Sequence, residues 1–133
     1  MDRRGVPLAL CVTGANRHDS IVFEALVDAL PAIAGRRGRP RRRPDKLHAD
    51  KGYDFKRCRQ HLRKRGIVAR IARRGIESAE RLGKHRWVVE RTHAWLAAFG
   101  KLRVRFERRL DTHLALLTLA CAIICARCVD RFC

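Results

Sequence analysis

Lys46-Leu47-His48-Ala49-Asp50-Lys51-Gly52-Tyr53-Asp54 opens on a short apolar run, closes it with a carboxylate, turns through a glycine and reaches a second carboxylate. This reads as a strand over 46–50 that delivers Asp50 to its own carboxyl end. Asp54 is then placed to cap a helix over 54–65, with Phe55, Cys58 and Leu62 on one face and Gly66 closing it. Ile67-Val68-Ala69-Arg70-Ile71 is a further strand over 67–71. Strand, helix and strand make a βαβ unit, so the two strands should be parallel with a right-handed crossover. In open α/β sheets the chemistry sits beyond the carboxyl ends of strands, which makes Asp50 a site candidate by position as well as by type.

Working back from that unit, Val6-Pro7-Leu8-Ala9-Leu10-Cys11-Val12-Thr13 is almost continuously apolar and of strand length, with a proline tolerated at its start. The spacing predicts a covered strand over 6–13. Residues 1–5 read as the turn before it, the tip of a hairpin with one arm missing. Gly14-Ala15-Asn16-Arg17-His18-Asp19 is turn chemistry, with Asp19 placed to cap a helix over 20–33. Val22, Ala25, Leu26, Ala29, Leu30 and Ile33 form its apolar stripe. His18 and Asp19 can also be read as a charged pair beside the site, although an N-cap accounts for the Asp.

Gly35 ends that helix, and residues 36–44 hold six arginines and two prolines. No packed structure is expected over this linker, 35–44. Arg36, Arg37, Arg39, Arg41, Arg42 and Arg43 are read as a phosphate-binding loop, each neutralised phosphate steepening the salt dependence by about 0.9 in log-log slope. Residues 72–83 lack periodicity and read as a basic, mobile connection. A helix over 84–99 follows, its core stripe Val88, Thr92, Trp95, Leu96 and Phe99 and its opposite stripe Arg86, Glu90, His93 and Lys101. Taken alone, Glu90 is an ordinary i, i+4 partner of Arg86.

At 133 residues with 47% apolar content the chain has one domain's length and enough apolar surface for a core. Its 31 Lys and Arg against 13 Asp and Glu give a net charge of +18, which repels itself unless a polyanion neutralises it. Nucleic acid is therefore the leading partner class, ahead of an anionic membrane or a small-molecule substrate. RNA lacks the exposed aromatic platforms it would stack on. The scattered cysteines suggest reduced thiols and a cytoplasmic protein. Cys121, Cys125 and Cys128 share a helix face and raise a zinc alternative, but buried apolar cysteine is the simpler account. The N-terminal apolar run is too short for a targeting signal. The apolar stretch 114–126 falls short of the roughly 20 residues that span a bilayer, so the helix over 111–128 reads as buried.

Three stretches carry a family resemblance. LHADKGYD resembles the second-carboxylate motif of the DDE transposases of bacterial insertion sequences, in the insertion-sequence-five family. RWVVERTHAWL resembles the helix bearing the last carboxylate, with Glu90 40 residues after Asp50. GVPLALCVTGANRHDS resembles the family's middle strand and turn. The wider signature places Tyr, Arg, Glu and Lys along the last helix; Arg86 and Glu90 match it, while Gly83 and Ala97 stand at the Tyr and Lys positions.

The resemblance implies a single, partial ribonuclease H-like α/β domain lacking its first strands, with the C-terminal helix buried. It implies metal-dependent DNA cleavage and transfer, with Asp50 and Glu90 as catalytic and metal-ligating residues for Mg2+ or Mn2+. Lys51, Lys84, Arg86 and Arg91 join the arginines of the loop as DNA contacts, and His18, Asp19, Asp54 and His93 are candidate supporting residues. The family's first Asp has no counterpart here, since Asp2 falls in the opening turn. The expectation is a truncated chain, inactive until an upstream segment or a second copy completes it, near the nucleoid. The alternative is a basic DNA-binding remnant or regulator without catalysis.

Overall fold

The computed structural model describes residues 1–35, 38–76 and 83–130. It is a small α/β structure with two parallel strands and five helices among the described residues. They group into two compact units, one formed by Thr13–Arg81 and the other by Met1–Val12 with Leu82–Cys133.

The first unit contains α1 (Phe23–Asp28), β1 (Lys46–Ala49), α2 (Lys56–Lys64) and β2 (Val68–Ile71). β1 and β2 pair in parallel, from Lys46 opposite Val68 to Ala49 opposite Ile71, as the βαβ reading requires. The pleat turns Leu47, Ala49, Ala69 and Ile71 toward the core and leaves Lys46, His48, Val68 and Arg70 exposed. Cys58 and Leu62, one helical turn apart on α2, are fully buried and meet Phe23 and Val27 of α1 with Ile67 and Ile71. Helix α2 ends at Gly66, whose φ of +64° suits glycine alone. A Cβ there would fall 1.7 Å from Nη1 of Arg43, which donates to the Arg65 carbonyl at 2.8 Å.

Three expectations for this unit are corrected. The helix expected over 20–33 is a 3₁₀ turn, Asp19–Ile21, followed by α1, which stops at Asp28. Pro31 explains the early stop, since it disfavours helical backbone at Leu30 and supplies no N–H. The arginine-rich linker is bridged at one point: Ile33 and Arg41 exchange backbone hydrogen bonds at 2.8 and 2.9 Å. The connection after β2 is anchored at Arg74, whose guanidinium stacks 4.9 Å from the Phe55 ring centre and donates to the Lys51 carbonyl at 3.3 Å. Its remaining residues, 77–82, lie outside the described residues.

An interaction absent from the sequence reading joins α1 to α2. Glu24 and Asp28, one turn apart, face Arg57, His61 and Arg65, themselves spaced by four. His61 Nε2 lies 2.9 Å from Asp28 Oδ1, and Arg65 bonds the same oxygen.

The second unit contains α3 (Gly83–Ala97), α4 (Gly100–Arg103) and α5 (Leu110–Asp130). Within α3 the stripe is as expected, Thr92 buried and Val88, Trp95 and Leu96 partly buried opposite exposed Glu90 and His93, but the helix expected over 84–99 stops at Ala97, so partly buried Phe99 caps α4 and exposed Lys101 lies in it. Thr92 Oγ1 donates to the Gly5 carbonyl at 2.6 Å. Gly5 has φ +86°, and a Cβ there would meet Thr92 Oγ1 at 3.0 Å. The opening turn is present too, with Asp2 Oδ1 accepting from the N–H groups of Arg4 and Val6 at 2.8 and 2.9 Å.

The strand expected over 6–13 does not form. A strand needs a ladder partner. The segment instead meets α5, Cys125 donating from Sγ to the Pro7 carbonyl at 3.5 Å.

The buried C-terminal helix is also corrected. Helix α5 runs 21 residues and buries only Ala120, Cys121 and Ile124, while Leu119 and Val129 are 58% and 59% exposed. Its sequence is apolar all round, which reads as burial; within the unit only one arc of it meets neighbours. Its length and a mean hydropathy of 1.9 would also suffice to cross a membrane. The 114–126 stretch had understated that length, and core helices of soluble proteins pass the same test.

Candidate active site

Asp50 directly follows β1 and caps the 3₁₀ turn Lys51–Tyr53, its Oδ1 accepting from the Gly52 N–H at 2.8 Å. The strand therefore brings the acid to its carboxyl end, and the turn holds the carboxylate there. Glycine is required at 52 by closeness rather than by backbone angle, because a Cβ would stand 2.9 Å from that same Oδ1.

The carboxylate opens onto a cleft of about 500 Å3, lined also by Asn16, Arg17, His18, Asp19 and Tyr53. The two candidate supporting residues His18 and Asp19 thus stand with Asp50 at one site. Tyr53 records the local charge: burial foremost, then the Asp19 and Asp50 carboxylates, push its hydroxyl pKa above the ordinary value.

Asp19 reaches the cleft because another residue caps the turn. His18, not Asp19, is the N-cap, its Nδ1 accepting from the Ser20 N–H at 3.2 Å and lying 2.8 Å from Ser20 Oγ. Ser20 is buried and accepts from Arg57 Nη2 at 2.8 Å, while the His18 ring stands edge-on to Phe55 at 5.4 Å. Ser20, Arg57 and Tyr53 are participants the sequence reading missed. Arg57 lies 37 residues from Ser20, and no local pattern announces that contact.

Asp54 is corrected as a helix cap. Phe55 occupies the N-cap position of α2. Asp54 Oδ1 instead accepts from Arg59 Nε and Nη2 at 2.8 and 2.7 Å, and Oδ2 from the Arg74 N–H at 3.1 Å. The Arg59 hydrogen bonds above all, then the Arg74 amide, hold its carboxyl below the usual carboxylate range. Arg59 also donates to the Ile71 carbonyl at 3.0 Å, so Asp54 ties α2 to the end of β2.

Glu90 and His93 lie on the exposed face of α3, in the other unit. Arg91, beside Glu90, stacks its guanidinium 4.6 Å from the Trp87 ring centre and 5.7 Å from Trp95, one turn to either side. The side chains of Lys84 and Arg86 lie outside the described residues, as do Arg36 and Arg37.

Within the arginine loop the guanidinium groups divide. Arg43 is committed to the Arg65 carbonyl and Arg41 to Asp45 at 3.2 Å. Arg39 and Arg42 are exposed and make no side-chain hydrogen bond or ion pair among the described residues. Lys51 is exposed beside Asp50.

Among the described residues no group of three or more His, Cys, Asp or Glu side chains is placed to hold a metal ion. The Asp50 cleft offers two carboxylates, and the Nδ1 of His18 is occupied. That donor set falls short of a dication pair, each ion of which takes several oxygens. Cys121, Cys125 and Cys128 are free thiols, and burial pushes those of Cys121 and Cys125 up, as expected of apolar packing.

Comparison with known proteins adds two findings. The family model described as the transposase DDE domain matches residues 1–125. The "Putative transposase for insertion sequence element IS402" of Burkholderia cepacia is 54% identical over 130 residues, which is 98% of this chain and 62% of that protein. No solved structure matches.

Proposed function

Since the chain belongs to the family of DDE-type insertion-sequence transposases, we propose that it works in DNA transposition, in the cleavage and joining of DNA strands, with Asp50 and Glu90 as its acidic catalytic residues. One observation carries the reading: the carboxylate of LHADKGYD stands at the carboxyl end of β1, on a cleft it shares with His18 and Asp19. That is where an open α/β sheet puts its chemistry. The proposed parent architecture is a single ribonuclease H-like domain.

DNA is the proposed partner, drawn by the charge of +18 and held by Arg39, Arg42 and Lys51 together with Arg36, Arg37, Lys84, Arg86 and Arg91. Mg2+ or Mn2+ is the proposed cofactor, with Asp50 and Glu90 as this chain's share of a larger oxygen donor set. A further transposase segment or a second copy would supply the rest. The proposed location is the cytoplasm, at the nucleoid.

The chain spans 62% of the length of its curated relative, which provides the test. The chain is exchanged for the matching part of that relative, and excision of a marked element is measured in cells. Excision should survive the exchange and disappear with Asp50→Asn or Glu90→Gln, while binding of the purified proteins to DNA is retained. Excision indifferent to both substitutions would leave the basic DNA-binding role without catalysis.

A further inference from the structure

The hydrogen bonds around His18 run in one direction. The Ser20 backbone N–H can only donate, so Nδ1 of His18, which receives it at 3.2 Å, carries the lone pair and no proton. Arg57 can likewise only donate, so Ser20 Oγ accepts from its Nη2 at 2.8 Å and turns its own proton toward Nδ1, also at 2.8 Å. Every donor in the chain Arg57, Ser20, His18 points at the imidazole. Nδ1 is thus the ring's acceptor and Nε2 is left to carry the N–H, and Phe55, edge-on at 85°, fixes the ring plane.

Nε2–H has no hydrogen-bond partner among the described residues, and His18 lines the Asp50 cleft. Histidine is not a favoured N-cap, and Asp19, a favoured one, is the next residue. The arrangement thus spends a histidine on the cap and leaves both a carboxylate and an imidazole N–H at the cleft. A buried serine bonded to an arginine is more than a three-residue turn needs.

We infer that Arg57 and Ser20 are positioning residues that lock His18 as its Nε2–H tautomer, so that it offers an uncharged donor to a phosphodiester oxygen entering the Asp50 cleft. This rests on the transposase reading for its ligand but not for its geometry. A neutral donor adds affinity without releasing counterions, which separates it from every arginine in the chain.

The tautomer is read by long-range 1H–15N correlation on protein labelled with 15N-histidine, with His18→Asn identifying the resonances. The wild type should show Nε2–H alone, and Ser20→Ala and Arg57→Gln should each give a mixture, with Arg57→Lys restoring the single form. A predominant Nδ1–H form in the wild type would overturn the inference. Affinity for a short labelled duplex of arbitrary sequence, followed across a salt series, reads the donor itself. His18→Asn can keep the cap through its Oδ1 while its shorter amide withdraws the N–H from the position of Nε2, and it should weaken binding about ten-fold at every salt concentration with the slope unchanged. Arg57→Gln should cost no more in the His18→Asn background than its own charge explains, and Ser20→Ala should cost nothing there, because they act through the ring. Wild-type binding with no loss in His18→Asn overturns the inference alone. Absence of DNA binding by the wild type overturns the transposase reading and the ligand together, while the tautomer still decides the positioning.

Discussion

The carboxylates near Asp50 have similar sequence surroundings and different roles, decided by what each meets. Asp50 is held by one amide and otherwise open to the cleft, and Gly52 leaves it room. Gly52→Ala should force the carboxylate aside by a few tenths of an ångström or more. We expect excision in the exchanged protein to fall by up to about a hundred-fold, the scale of a misplaced catalytic group, with thermal stability little changed. Unaltered excision would show that the close approach is incidental. Asp54 accepts from Arg59 and the Arg74 amide, and its lowered pKa gives a stability effect of known sign. A depressed folded pKa stabilises above the unfolded value of about 3.9 and loses that contribution as pH falls through the folded value. Asp54→Asn should therefore melt below the wild type near neutrality, and the gap should close on acidification below about pH 4. A gap constant with pH would place the loss in packing.

At the scale of elements, α2 carries the first unit. It buries Cys58 and Leu62 at zero exposure, faces the acids of α1 with Arg57, His61 and Arg65, and receives Arg43 at its carboxyl end. Leu62→Ala should cost about 2–5 kcal/mol in denaturant unfolding, the range for truncating a buried leucine. The arginines of the loop differ in what they meet: Arg43 and Arg41 are bonded within the fold, and Arg39 and Arg42 make no such bond among the described residues. Arg39→Gln with Arg42→Gln should flatten the log-log salt dependence of DNA binding by up to about 1.8, with the melting temperature unchanged. Arg43→Gln should do the reverse, costing about 1 kcal/mol of stability with little change of slope. Equal slopes for all three arginines would mean the loop binds phosphate without regard to its internal bonds.

At the scale of the molecule the charge of +18 and the scarcity of clustered acids pull in one direction. A polyanion is attracted strongly, while among the described residues a pair of dications finds too few clustered oxygens to offset their mutual repulsion. The purified 133-residue chain should bind duplex DNA at low salt yet neither nick nor join it in Mg2+ or Mn2+, as followed on a labelled duplex in denaturing gels. Strand transfer that disappears with Asp50→Asn would refute this, and Asp19, already on the cleft, would be the next acid to replace.

What the sequence determined by itself is what short-range physics governs. The short apolar run after Lys46 and the helix face of Phe55, Cys58 and Leu62 were sufficient for two parallel strands around a helix, and for Asp50 at the end of the first. The α3 stripe was legible for the same reason, and three motifs sufficed for the family. Tertiary structure decided wherever a polar group had more than one acceptable partner. Asp19 and His18 could each cap the turn, and the buried Ser20 with Arg57 from α2 selects His18. Asp54 could cap α2, but Arg59 and the Arg74 amide offer it three donors. Residues 6–13 had the composition of a strand, yet a strand exists only by pairing, and the Pro7 carbonyl meets Cys125 of α5 rather than a ladder partner. Burial of α5 likewise depended on how much surface its neighbours could give, which no apolar run encodes in itself.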